Sequence, residues 1–210
     1  MCKDFGFYGI LTNPACGFEE MAEVMVRERV RYIQLRMKDR PREAVYETAV
    51  RLRGIIGGDS LFIVNDDVAI AREVGADGVH IGQEDMAYAD VRRLMGPEKI
   101  VGLSTHNPVQ TRAACALTPL PDYIGVGPVY ATPTKKKPDP VIGFDGLEEM
   151  LAVATVPAVA IGGIDLENVA DVVGRGARNV CAVRCVNQAS DPGAVIRLFQ
   201  TALARFENTR

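Results

Sequence analysis

The chain is poor in the features that staple, anchor or charge a protein. Its five cysteines, Cys2, Cys16, Cys115, Cys181 and Cys185, are odd in number and form no CxxC pair. That argues against a disulfide framework and for a reducing compartment. No apolar run approaches the roughly 18 residues that a membrane helix needs. Met1-Cys2-Lys3-Asp4 does not open a signal peptide, so a cytoplasmic protein without a membrane partner is expected. Apart from Lys135-Lys136-Lys137 there is no stripe of lysine or arginine, and the net charge is −3, which argues against nucleic acid as a partner. Histidine is scarce, with only His80 and His106, and neither pairs with a cysteine to suggest a nucleophile. His80, inside Gly78-Val79-His80-Ile81-Gly82, reads as a hydrogen-bonded core residue, whereas His106 follows a strand end, where acid–base work or helix capping are both open. A clear acid–base pair of the kind a sugar-phosphate isomerase needs is missing. Linkers and low-complexity tracts are missing too.

What is present is a regular alternation. At 210 residues the chain can bury a core without staples. Short β-branched runs at Phe7–Thr12, Tyr32–Met37, Leu61–Asn65, Gly78–Gly82, Ile100–Ser104, Tyr123–Val129, Ala158–Gly162 and Asn179–Val183 read as strands. Amphipathic stretches such as Phe18–Arg29, Arg42–Ile56, Asp67–Val74, Asn107–Leu117, Leu166–Val173 and Pro192–Phe206 read as helices between them. Asn107-Pro108 and Asp165 read as helix starts, Gly57-Gly58 and Gly174 as stops. This pattern predicts one α/β domain over 1–210, a single (β/α)8 TIM barrel, rather than an open doubly wound sheet of about six strands.

Catalytic groups of such a barrel sit where strands end. There the sequence places Arg36 and Lys38, Asn65 and Asp66, Asp85, Ser104, the Thr132-Pro133-Thr134-Lys135 strap, Gly162-Gly163 and Val183-Arg184. Asp66 and Asp85 end adjacent strands and could share a hard cation, magnesium, with phosphate oxygens completing its shell. Alternatively Asp66, Asp67 and Asp85 cap helices. Arg36 and Lys38 point to one side of the second strand, where they could hold phosphate oxygens or form an ion pair with Asp66. The Thr132–Lys135 strap suits a phosphate monoester, and the loops after strands seven and eight form the recurrent phosphate site of this architecture.

Together these residues resemble the thiamine phosphate synthase (thiamine-phosphate pyrophosphorylase) family. The most specific parts are Gln34–Lys38, Asn65-Asp66, Gly75–Asp85, Gly102–His106, Asp122–Lys135 and Val159–Ile164. The resemblance implies a magnesium-dependent enzyme of thiamine biosynthesis that joins hydroxymethylpyrimidine diphosphate to hydroxyethylthiazole phosphate and releases diphosphate. By position, it implies that Gln34, Leu35, Arg36, Met37, Lys38, Asn65, Ser104 and Lys135 bind the pyrimidine diphosphate. Asp66 and Asp85 would hold Mg2+, and Arg36, Lys38 and Lys135 would act on the leaving group. Thr132, Pro133, Thr134, Gly163, Val183 and Arg184 would line the thiazole phosphate pocket. Two positions depart from the family pattern. Asp67 stands where arginine is usual, and Arg184 where a small hydroxyl residue is usual. A related thiazole tautomerase, with a histidine near the place of His106, and a non-catalytic phosphate-binding paralogue remain open as alternatives. A homo-oligomer is allowed by the sequence but not specified by it.

Overall fold

Period-two alternation in the strands builds two apolar layers. Phe7, Leu11, Ile33, Leu35, Phe62, Val64, Val79, Val101 and Leu103 belong to the layer packed beneath the helices. Their neighbours Tyr8, Ile10, Tyr32, Ile63, Ile100, Tyr123, Val159 and Cys181 form a separate cluster inside the sheet. A sheet buried on both faces must close or be covered twice. The computed structural model, which describes residues 4–132 and 139–207, closes it.

The strands are β1 (Gly6–Leu11), β2 (Tyr32–Leu35), β3 (Leu61–Asn65), β4 (Gly78–Ile81), β5 (Ile100–Thr105), β6 (Tyr123–Val126), β7 (Ala158–Ile161) and β8 (Asn179–Cys181). All pair in parallel with their sequence neighbours, and β8 pairs with β1. The helices are α1 (Phe18–Arg27), α2 (Arg42–Ile55), α3 (Val68–Glu73), α4 (Tyr88–Met95), α5 (Pro108–Ala114), α6 (Gly143–Val153), α7 (Val169–Gly174), α8 (Arg184–Asn187) and α9 (Pro192–Glu207). The (β/α)8 barrel expected from the sequence is the fold.

Its boundaries differ from the expectation chiefly at the C-terminal ends of strands. β2, β6 and β8 stop at Leu35, Val126 and Cys181, short of Met37, Val129 and Val183. The chain leaves the ladder there without losing every bond, since the Arg36 amide still donates to Leu11 O at 2.9 Å and that of Val129 to Ile161 O at 2.9 Å. Asp165 does not cap α7 directly. Its carboxylate accepts from the amides of Glu167 and Asn168, making a turn ahead of a helix that starts at Val169. Gly174 is the last residue of that helix, and the left-handed turn that leaves it is made by Gly176, at φ 102°. Asn107 caps α5 as expected, accepting from the Gln110 amide at 2.9 Å.

Polar side chains lock the barrel where ladders are thin. At the N-terminal end, Asp77 accepts from the Phe62 amide of β3 and pairs with Arg53 of α2, both at 2.8 Å. Asp122 does the same for Val101 of β5, paired with Arg92 of α4. Asn179 Oδ1 accepts from the amides of Phe5 and Gly6 at the start of β1. The β1–β8 seam has register pairs only at Gly6–Asn179 and Phe7–Val180. Its far end is closed by buried Asn187, whose amide donates to Ile10 O and Val183 O and accepts from the Thr12 amide.

Candidate active site

The βα loops at the C-terminal ends of the strands converge on the expected residues. Gln34 is buried on β2, and Arg36 and Lys38 follow in the loop rather than on the strand itself. Asn65 ends β3, and Asp66 turns away with φ 64°, a left-handed conformation that aspartate tolerates better than most residues. The Asp66 amide is held by His80 O at 2.8 Å, so the turn is fixed to β4.

That turn brings Asp66 against Asp85 of the next loop, with the two carboxyls within hydrogen-bonding contact, and Lys38 Nζ lies 3.0 Å from Asp66 Oδ2. Burial is the main reason the Asp66 carboxyl is shifted above the ordinary carboxylate range; Lys38 pulls it down, and Asp85 pushes it further up. Asp85 is not a helix cap, because its Oδ2 accepts from the Gly82 amide at 2.7 Å and α4 is capped by Ala87. Asp67, by contrast, is a cap. Its Oδ1 accepts from the Ile70 amide at 2.8 Å, and its Oδ2 meets Arg42 Nε at 3.0 Å. The extra negative charge beside Asp66 is therefore tied up by α3 and Arg42. Burial lowers the proton affinity of Arg36, with Asp66 and Asp39 opposing that shift.

Below these charges lies a feature that sequence reasoning did not assemble. Gln34 Nε2 donates to Tyr8 OH at 2.9 Å, and Tyr8 OH meets Tyr123 OH at 2.7 Å. Tyr123 OH lies 3.0 Å from His80 Nδ1, and His80 Nε2 lies 2.9 Å from Ser104 Oγ. Burial raises both phenols above the ordinary tyrosine range, which keeps them protonated. Glycine makes the room: a Cβ on Gly102 would stand 2.2 Å from Tyr123 Cζ and 2.6 Å from His80 Nδ1. Gln83 Nε2 also donates to Ser104 O, so the backbone of Ser104 is pinned as well as its hydroxyl. The only sequence signal for this chain was the inward parity of Tyr8, Gln34, His80, Ser104 and Tyr123 in their strands.

On the opposite side of the mouth, Gly162 and Gly163 have φ of 100° and 65° and pack tightly on the β6–α6 loop. A Cβ on Gly163 would sit 2.7 Å from Ala131 O. Thr132 is half-buried next to this contact, while Pro133, Thr134 and Lys135 lie outside the described residues. His106 is not a helix cap: its Nδ1 donates to Gly127 O at 2.7 Å, and its Nε2 faces Asp139 at 3.6 Å. Val183 precedes the short α8, whose first residue, Arg184, is exposed. Leu35 and Met37 complete the β2 end beneath the two cations, Leu35 fully within the apolar layer.

Residues 7–186 match the family described as thiamine monophosphate synthase. A thiamine-phosphate synthase from Gloeobacter violaceus is 42% identical over 197 residues, which cover 93% of this chain and 57% of that one. A thiamine-phosphate synthase from Pelotomaculum thermopropionicum is 40% identical over 190 residues, covering 90% of this chain and 86% of that one. The chain thus spans little more than half the length of the first of these relatives and most of the second. Among solved structures, a thiamine phosphate pyrophosphorylase from Pyrococcus furiosus superposes with a TM-score of 0.84 at 28% identity, covering 96% of each chain. With the matched family extending from β1 into α8, the chain belongs to the thiamine monophosphate synthase family.

Proposed function

We propose that this chain, acting as one domain over 1–210, is a thiamine-phosphate synthase. It joins hydroxymethylpyrimidine diphosphate to hydroxyethylthiazole phosphate and releases diphosphate. The observation that carries this reading is the contact of Asp66 with Asp85 beside Lys38. Two carboxylates this close, one of them partly buried, repel unless a proton or cation lies between them. Among the described residues no group of three or more His, Cys, Asp or Glu surrounds a common point. A pair of carboxylates alone fits magnesium, which keeps waters and takes substrate phosphate oxygens, better than an all-protein cage. Bound there, magnesium would supply charge neutralisation for the diphosphate.

The chain's own groups then divide the work. Arg36 and Lys38, with Lys135, stabilise negative charge as the methylene–oxygen bond breaks and its electron pair leaves with the diphosphate. The thiazole nitrogen supplies the pair that forms the new carbon–nitrogen bond. Gln34, Asn65 and Ser104 orient the pyrimidine, and Thr132, Thr134, Gly163, Val183 and Arg184 take the thiazole phosphate. Positioning two substrates is the larger task, because no proton must be removed for the bond to form.

The full chain with both substrates and magnesium should yield thiamine phosphate and diphosphate in equal amounts. Asp66→Ala and Asp85→Ala should each lower turnover by about a hundredfold or more with the fold intact. Absence of product, or near-parental rates in both variants at limiting magnesium, would sink the reading.

A further inference from the structure

The buried polar chain has a direction. Tyr8 OH holds one proton and accepts another from Gln34 Nε2, so its own goes to Tyr123 OH. Tyr123, accepting from Tyr8, must pass its proton towards His80 Nδ1. A ring nitrogen that accepts carries no hydrogen, so the proton of the neutral ring stays on Nε2 and points at Ser104 Oγ. Ser104 then accepts from His80, and among the described residues its hydroxyl has no other partner. Its own proton is left for whatever occupies the mouth.

We infer that His80 is a positioning residue: the Gln34–Tyr8–Tyr123 chain holds it as the Nε2–H tautomer, which makes the Ser104 hydroxyl an obligate donor to substrate. The opposite polarity would turn every link round. His80 would carry its proton on Nδ1, Ser104 would donate inward, and the site would see only an acceptor. The choice therefore decides whether Ser104 greets an acceptor atom of the pyrimidine diphosphate or repels it. The part of this inference that concerns substrate rests on the proposed function; the tautomer does not. Gly102 belongs to the same device, since any side chain there would separate Tyr123 from His80.

The test has a spectroscopic arm and a kinetic arm. Long-range proton–nitrogen correlation on the 15N-labelled full chain reads the tautomer of each ring, and with only two histidines, loss of one signal set in His106→Gln assigns the other to His80. The parent should show Nε2–H. Tyr123→Phe removes the donor to Nδ1 and should give a mixed or Nδ1–H ring. The same variant should raise KM for the pyrimidine diphosphate about tenfold, the effect of one ordinary hydrogen bond, and leave KM for the thiazole phosphate unchanged. His80→Gln, which can still offer an N–H to Ser104, should retain more activity than His80→Leu. An Nδ1–H ring in the parent overturns the inference. So does a Tyr123→Phe protein with unaltered tautomer and unaltered KM. Failure of the parent to make thiamine phosphate would instead strike the proposed function, while the spectroscopic arm still decides the direction of the chain.

Discussion

Asp66 combines an electrostatic and a conformational departure at one residue. It sits in a left-handed turn, its carboxyl lies against that of Asp85, and burial raises its proton affinity. A carboxyl raised in the folded state favours folding below its unfolded value, and this advantage is lost as pH rises through the folded value. At neutral pH the ionised Asp66 therefore counts against folding. Asp66→Asn should raise the urea midpoint at neutral pH, even though it gives up the half-exposed pair with Lys38, which contributes little. The gain should shrink as pH falls through the raised value of the folded parent and be gone below about 4, where the carboxyl is protonated in both states. Excess magnesium should stabilise the parent and leave Asp66→Asn unmoved. A lower midpoint in the variant, or a gain independent of pH, would contradict this account. The sequence marked Asp66 and Asp85 by their strand-end addresses. It also offered Asp67 as a helix cap, and the Ile70 amide takes that offer; what it left open was the second partner, Arg42, which comes from another helix, α2.

Elements were legible where periodicity is strong and obscure where side chains replace backbone. The order and parity of β1 to β8 followed from alternating β-branched residues. Strand ends did not, because β2, β6 and β8 hand over to single bonds such as Arg36 N to Leu11 O. The barrel reading implied that β8 meets β1, but how the seam is closed was hidden, since its closing residue, Asn187, lies on the four-residue α8. Asn187→Ala would leave the Thr12 amide and the carbonyls of Ile10 and Val183 without that partner. The expected cost is about 2–4 kcal/mol, read as a lower denaturant midpoint at unchanged slope. Its neighbour Gln188 is exposed, and among the described residues its side chain makes one bond, to Asn13 O at 2.9 Å, so Gln188→Ala should cost less than about 1 kcal/mol. Equal costs would mean that the ladder, not Asn187, holds the seam.

At the scale of the whole barrel, the candidate site draws on most of its circumference: Gln34 from β2, Asn65 from β3, His80 from β4, Ser104 from β5, and the loops after β6, β7 and β8. The buried chain was invisible in the sequence for the same reason, as Tyr8 and Tyr123 lie 115 positions apart. A ligand that touches so many strands should stabilise the barrel as one unit, by about 2.7 kcal/mol at a hundred times its Kd. For a chain of this length that corresponds to roughly 5–10 °C in Tm. Arg184 lets the two halves of the site be separated. It is exposed at the start of α8 and, among the described residues, forms no ion pair; Asp67 is engaged by Arg42 instead, and Asp165 by the amides that precede α7. An arginine at that place can grip a phosphate monoester in a charge-assisted, bidentate way that a serine cannot. Arg184→Ser should weaken hydroxyethylthiazole phosphate about tenfold, reducing its thermal shift by roughly 3–6 °C, and leave the shift given by magnesium diphosphate unchanged. Calorimetric scans with each ligand separately provide the check. An equal loss for both ligands would place Arg184 in the diphosphate half, and no loss for either would remove it from the site.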